Sequence, residues 1–125
     1  MRETHATDQA PAAIGPYSQA VKASGSFVFL SGQIPLTPTG EKRVSSIEEQ
    51  TEQVCQNIGA LLGSLGLTPA HIVKTTIFLS SMEHFQTVNG IYGKFVGEAP
   101  PARSTVAVAG LPLGVDVEIE CIAVM

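Results

Sequence analysis

A chain of 125 residues with 44% hydrophobic residues, 12 Gly and 8 Pro is long enough for one compact domain and short for two. Its seven Lys and Arg against eleven Asp and Glu give a net charge of −4 and a pI near 5.2, which argues against binding along a nucleic-acid backbone, where clustered cations must neutralise phosphates. Charged residues are only 14% of the chain at a mean hydropathy of +0.23, against roughly 25% in ordinary soluble domains. Spread over the ~6,400 Å² surface expected of a monomer of this mass, they are sparse enough to suggest that part of that surface faces another subunit.

The opening Met1-Arg2-Glu3-Thr4-His5 lacks the apolar stretch of a signal peptide, and no later segment reaches the ~18 apolar residues of a membrane span. A cytoplasmic location is therefore expected. Short extended pieces are predicted over Glu3–Ala6 and Ala20–Ala23, then a strand over Phe27–Ser31. Ser46-Ile47-Glu48-Glu49 reads as a capping box, in which the Ser46 hydroxyl and Glu49 carboxylate satisfy N–H groups that a helix start leaves unpaired. Behind it Val54, Ile58, Leu61, Leu62 and Leu65 recur at helical spacing until Gly66 offers a stop. A strand is predicted over Ile72–Leu79, and a second helix from just after Ser80 or Ser81 to about Val96, with Met82, Phe85, Val88, Tyr92 and Phe95 as its core stripe. Strands over Ser104–Val108 and Val115–Val124 complete the chain. This order predicts an α+β domain with two helices on one face of a mixed sheet, whose other face needs water or a partner.

Several chemistries lack their residues. His5, His71 and His84 have no metal-ligand spacing, and Cys55 and Cys121 form no CxxC pair, so both cysteines are expected to be reduced and packed. There is no P-loop, no GxGxxG and no GxSxG. Two polar residues stand out instead. Arg103 follows Pro100-Pro101-Ala102 at a strand entrance, where a guanidinium could hold a carboxylate through two parallel charge-assisted hydrogen bonds, each contributing on the order of 1.5–3 kcal/mol. A solvent-facing strand-end arginine is the plainer alternative. Glu120, alternating with Asp116 and Glu118 and then with Ile122 and Val124, marks a change from polar to apolar surroundings. It could serve as a general base, or simply extend a wet acidic strand face.

Ala10-Pro11-Ala12-Ala13-Ile14-Gly15-Pro16-Tyr17-Ser18-Gln19, Ser31-Gly32-Gln33-Ile34-Pro35, Val88-Asn89, Pro101-Ala102-Arg103-Ser104 and Glu118-Ile119-Glu120-Cys121-Ile122-Ala123-Val124 together resemble, in order and over nearly the whole chain, the RidA (YjgF-type) enamine/imine deaminase family. The resemblance implies a chorismate-mutase-like α+β fold assembled as a homotrimer, with a small-molecule pocket at each subunit interface and no cofactor. It makes Arg103 the residue that binds the substrate carboxylate and Glu120 the acid that positions or activates water. Tyr17, Ser31, Gly32 and Asn89 match pocket residues, with Tyr17 and Ser31 expected from a different subunit than Arg103, and Thr105 matches a position that contributes its peptide group. Thr105 stands where many relatives have cysteine, so no reactive-thiol regulation carries over. Pro100 stands where an aromatic residue is common, after a short Gly97-Glu98-Ala99 segment, which alters one pocket wall.

The implied reaction is hydrolysis of 2-iminobutanoate or 2-iminopropanoate, released by pyridoxal-dependent dehydratases, to a 2-keto acid and ammonia. Two other functions stay open: a regulatory protein that binds 2-keto acids without turnover, and an endoribonuclease or translation inhibitor, against which the acidic pI counts.

Overall fold

The structure, a computed structural model, describes residues 1–125. Its regular elements are β1 (Arg2–His5), β2 (Ala20–Ala23), β3 (Phe27–Gln33), α1 (Ile47–Ser64), β4 (Ile72–Leu79), α2 (Phe85–Val96), β5 (Ala102–Ala107) and β6 (Val117–Val124). The last four strands form one mixed sheet in the order β3-β6-β4-β5, antiparallel except for the parallel β4–β5 pair that α2 connects. β1 and β2 pair separately, antiparallel, as a two-stranded ribbon. This is the predicted α+β arrangement, with the ribbon as a detail that short extended pieces could not specify.

Strand alternation divides the sheet into two faces. On one, Leu30, Ile72, Ile77, Leu79, Val117, Ile119, Cys121 and Ala123 pack against Val54, Ile58 and Leu62 of α1 and Val88, Tyr92 and Val96 of α2 in a single buried cluster. Each large aliphatic side chain so buried contributes about 1.5–3 kcal/mol. The opposite face carries Thr76, Phe78, Glu118, Glu120, Ile122, Ser104 and Val106, following the β4–β6 and β4–β5 registers, with Phe27 and Phe29 at the β3 edge. No helix of this chain covers it. Phe29 is 75% exposed, Phe27 46% and Val106 43%. Both cysteines are free and buried.

Local chemistry sets the element ends, with some departures from expectation. The Ser46 side chain accepts the Glu49 N–H at 3.0 Å, but the Glu49 carboxylate turns to the Ser45 hydroxyl and Arg43, so only half of the capping box forms. α1 closes as Gly66 takes φ +75° and Leu67 N–H reaches the Leu62 carbonyl at 2.9 Å. Leu61 and Leu65 stay outside the buried cluster, 40% and 46% exposed, at an open cleft they border with Val28, Phe29 and Leu30 of β3. Ser81 caps a single 3₁₀ turn, Met82–His84, before α2 proper, and this turn swings Met82 out of the core to 47% exposure. β3 runs on past Ser31 to Gln33 through an irregularity between Leu30 and Gln33. β5 begins earlier than predicted, at Ala102, while β6 begins later, at Val117, because Pro112–Gly114 forms a 3₁₀ turn ahead of it. No helix is long and apolar enough to cross a membrane.

Candidate functional site around Arg103

β5 is delivered by Ala99-Pro100-Pro101, and three successive carbonyls there are tied down. Arg2 Nη2 donates to Ala99 O at 2.7 Å, Ser18 Oγ to Pro100 O at 2.5 Å and Ser18 N to Pro101 O at 3.1 Å. Arg2 Nε also donates to Ile72 O at 2.8 Å, joining this segment to the start of β4. Proline offers no N–H, so acceptance by these carbonyls is the main polar means of fixing the chain before Arg103. Arg103 thus lies inside β5, not in solvent at its entrance.

Its guanidinium is enclosed on several sides. The carbon at its centre lies 5.3 Å from the Tyr17 ring, 5.5 Å from Tyr92 and 5.8 Å from Phe85, within cation–π range. Nη1 donates to Asn89 Oδ1 at 2.6 Å. Phe85, Asn89 and Tyr92 fall at i, i+4 and i+7 of α2, so one helix face supplies three of the four neighbours. The fourth comes from the turn at Gly15–Tyr17, closed by a 2.8 Å bond from Tyr17 N to Gly15 O, with Ile14 N donating to the Tyr17 hydroxyl at 3.3 Å. Pro16 in this turn rests on α2 at Gly93, where an added Cβ would come within 3.2 Å of Pro16 Cβ.

Burial lowers the Arg103 pKa below the ordinary guanidinium value, an effect opposed by Tyr92 and Tyr17, and arginine is not deprotonated in proteins. No carboxylate neutralises it: the ion pairs of the chain are Arg43–Glu49 and the long His84–Asp116 contact. A half-buried arginine with one side-chain hydrogen bond and no anion keeps donors available for a planar anionic ligand. A cavity of about 380 Å³ is lined by Tyr17 with His5, Ser18, Gln19 and Glu98 and does not include Arg103. We place the candidate site at the guanidinium because that cavity, lined by Glu98 and by no Lys or Arg, has less to recognise an anion with.

The predicted residues divide sharply by place. Arg103, Asn89 and Tyr17 meet within one chain, so the expectation that Tyr17 reaches Arg103 only from another subunit is corrected: the bonds of Ser18 to Pro100 and Pro101 dock its own Tyr17 there. Glu120 is not with them. Arg103 pairs in register with Thr75, which in turn pairs with the buried Cys121, whereas Glu120 pairs with Thr76. The two side chains therefore project from opposite faces of the sheet. Ser31 and Gly32 lie on β3, separated from β5 by two strands. Gly32 is packed so closely by Glu118 that an added Cβ would fall 2.0 Å from Glu118 Oε2. Thr105 faces the same side as Arg103, with its hydroxyl oxygen buried and without a hydrogen-bond partner.

Sequence reasoning missed Arg2, Ser18, Phe85 and Tyr92 as site residues. The helical spacing of Phe85, Asn89 and Tyr92 was a usable signal, masked because the same spacing also reads as core. No group of three or more His, Cys, Asp or Glu side chains is arranged to hold a metal ion.

Comparison with known proteins gives a consistent result. The endoribonuclease L-PSP family matches residues 7–125. The chain is 51% identical to Reactive Intermediate Deaminase A, chloroplastic, of Arabidopsis thaliana over 125 residues, covering 99% of this chain and 66% of the plant protein. It is 46% identical to a RutC family protein of Pyrococcus horikoshii, covering 98% of both. A crystal structure of a conserved Rid family protein from Yersinia pestis superposes with a TM-score of 0.77 at 46% identity, covering 100% of both chains.

Proposed function

The chain belongs to the endoribonuclease L-PSP family, which includes the Rid and RutC proteins, and from that premise we propose that it is a 2-iminobutanoate/2-iminopropanoate deaminase. One observation carries the reading: Arg103 is a half-buried cation caged by three rings and Asn89, with no carboxylate of its own chain beside it. Such a group suits a 2-imino acid, whose carboxylate it can hold through two parallel N–H···O bonds.

In the proposed reaction, Arg103 anchors the carboxylate and so presents the adjacent imine carbon to a bound water. Glu120 accepts a proton from that water as its oxygen bonds to the carbon. Addition to the imine, protonated on nitrogen, gives a neutral carbinolamine. Glu120 returns its proton to the amine nitrogen, and as the C–N bond breaks to release ammonia the hydroxyl proton passes to Glu120 and the carbonyl forms, leaving a 2-keto acid. Placement of water and substrate supplies much of the acceleration, and a general base typically adds a further 10²–10⁴-fold, about. No cofactor enters the balance.

Because Arg103 and Glu120 leave opposite faces of one sheet, the proposal requires Glu120, Ser31 and Gly32 to come from a neighbouring copy. A homotrimer closing over the uncovered sheet face, with its exposed Phe27, Phe29 and Val106, would supply that neighbour. The sparse charge of the chain supports the same assembly. Coupling the purified protein to a threonine dehydratase and following 2-oxobutanoate formation tests the activity. A rate above buffer, lost in Arg103→Ala with the trimer intact, is expected; no acceleration by the wild type rejects the deaminase.

One observation favours a second reading. A single chain carries the carboxylate clamp without the base, as a 2-keto acid receptor would. Tight binding of 2-oxobutanoate by calorimetry, with no turnover, would select this alternative.

A further inference from the structure

Tyr92 does more than fill the core. It is 1% exposed, and its hydroxyl lies 2.7 Å from Thr75 Oγ1, on a residue that is itself 1% exposed. Thr75 is also the direct cross-strand partner of Arg103 in the parallel β4–β5 register. The three residues therefore form a closed loop. Arg103 extends from β5 to the face of the Tyr92 ring, the ring extends from α2 towards β4, and its hydroxyl is fastened to the residue beside Arg103. Asn89, one turn earlier on α2, holds Nη1 of the same guanidinium.

A phenylalanine could fill the same hydrophobic volume, so packing alone does not account for a phenol here. Burying a hydroxyl is unfavourable unless it is paired, and the bond to Thr75 fixes the tilt of the ring against β4. Burial pushes the phenol up to about 12, so it remains neutral and presents a ring face, not a competing anion, to the guanidinium. Of the three rings around Arg103, Tyr92 is the one whose hydroxyl is tied to the sheet; the Tyr17 hydroxyl bonds within its own turn.

We propose that Tyr92, pinned through its hydroxyl to Thr75, is a positioning residue that sets the plane of the Arg103 guanidinium for carboxylate binding. The inference rests on the carboxylate-clamp reading above, since Tyr92 itself touches no reacting atom. It assigns substrate affinity, not the chemical step, to a hydroxyl pair buried behind the site.

The test compares Thr75→Val, Tyr92→Phe and the double variant. Each single change leaves one buried hydroxyl unpaired and lowers Tm, whereas removing both partners restores most of it. If the pair only stabilises the fold, KM recovers with Tm in the double variant. If it positions Arg103, KM stays raised by about fivefold in all three while kcat remains within about twofold, as expected when binding shared by ground state and transition state is lost. A KM that is unchanged, or that follows Tm, overturns the proposal. The ¹⁵N spectrum of the Arg103 Nε–H without substrate gives a second readout: greater mobility in the double variant supports the positioning role, and unchanged order rejects it. A wild type inert towards imino acids would strike the deaminase reading while this spectrum still decides the role of Tyr92.

Discussion

The two faces of the central sheet differ in what they are packed against. On one, β4 and β6 bury Ile72, Ile77, Leu79, Val117 and Ile119 beneath α1 and α2, and the Arg103 cage is complete in a single chain. On the other, Glu118 and Glu120 stand beside Ile122, with Phe27 and Phe29 at the edge, and no element of the chain covers them. The covered face carries the caged guanidinium. The uncovered face holds the candidate base. If both act on one substrate, catalysis depends on a contact that a folded monomer lacks, and fold stability should separate experimentally from activity.

The largest effect expected from that separation concerns the two charges. Arg103→Ala should reduce kcat/KM by at least about 100-fold, the loss of two charge-assisted hydrogen bonds, whereas Glu120→Gln should lower kcat by about 10²-fold with KM nearly kept. Steady-state kinetics in the dehydratase-coupled assay would distinguish these, and equal losses in KM for both would place Glu120 in binding, not chemistry. An effect as large is expected of Phe29→Asp, which should separate the subunits of the proposed trimer and abolish turnover, since a desolvated carboxylate at an apolar contact is strongly unfavourable. Sedimentation velocity run beside the assay checks it, and a fully active monomer would break the division between the faces.

Stability should show the converse. Leu79→Ala, on the covered face, should destabilise the fold by about 2–5 kcal/mol. Phe29→Ala should alter the unfolding of a dissociated monomer little, because its ring is 75% exposed there; urea melts of both in a monomeric Val106→Asp background, with the charge placed on the same uncovered face, compare them directly. The smallest effect lies at Asp116. The Ser80 hydroxyl first, and the Gln50 amide second, hold its carboxyl below the ordinary range. A depressed folded pKa gives stability that is present above the unfolded value of about 3.9 and is lost as pH falls through the folded one. Urea midpoints should therefore fall more steeply below about pH 4 in wild type than in Asp116→Asn, and identical acid limbs would remove Asp116 from the account.

Much of the fold was legible because its signals are local. Ser46 capping Glu49, Val54, Ile58 and Leu62 on one helix face, and Gly66 in a left-handed conformation all act within a few residues. Which side of the sheet each functional residue takes was not legible. Arg103 and Glu120 lie on different strands, and their relation follows from registers through β4 that pair Thr75 with Arg103 and Thr76 with Glu120. Tyr92 illustrates a different gap. Periodicity identifies its ring as core, which is correct, but carries no information on where its hydroxyl points. Leu61, Leu65 and Met82 were expected inside because they continue apolar stripes; the first two border an open cleft against β3, and a 3₁₀ turn redirects the last of them.

The contact between Pro16 and Gly93 gives the mouth of the cage an adjustable gap. A methyl group added at position 93 would meet Pro16 at 3.2 Å, and Pro16 is joined directly to Tyr17, whose ring forms one wall over Arg103. Gly93→Ala would act as a shim of one carbon atom, lifting that wall by a few tenths of an ångström while leaving every charged group in place. Glycine at this position thus lets the Tyr17 turn lie against α2 without that spacer.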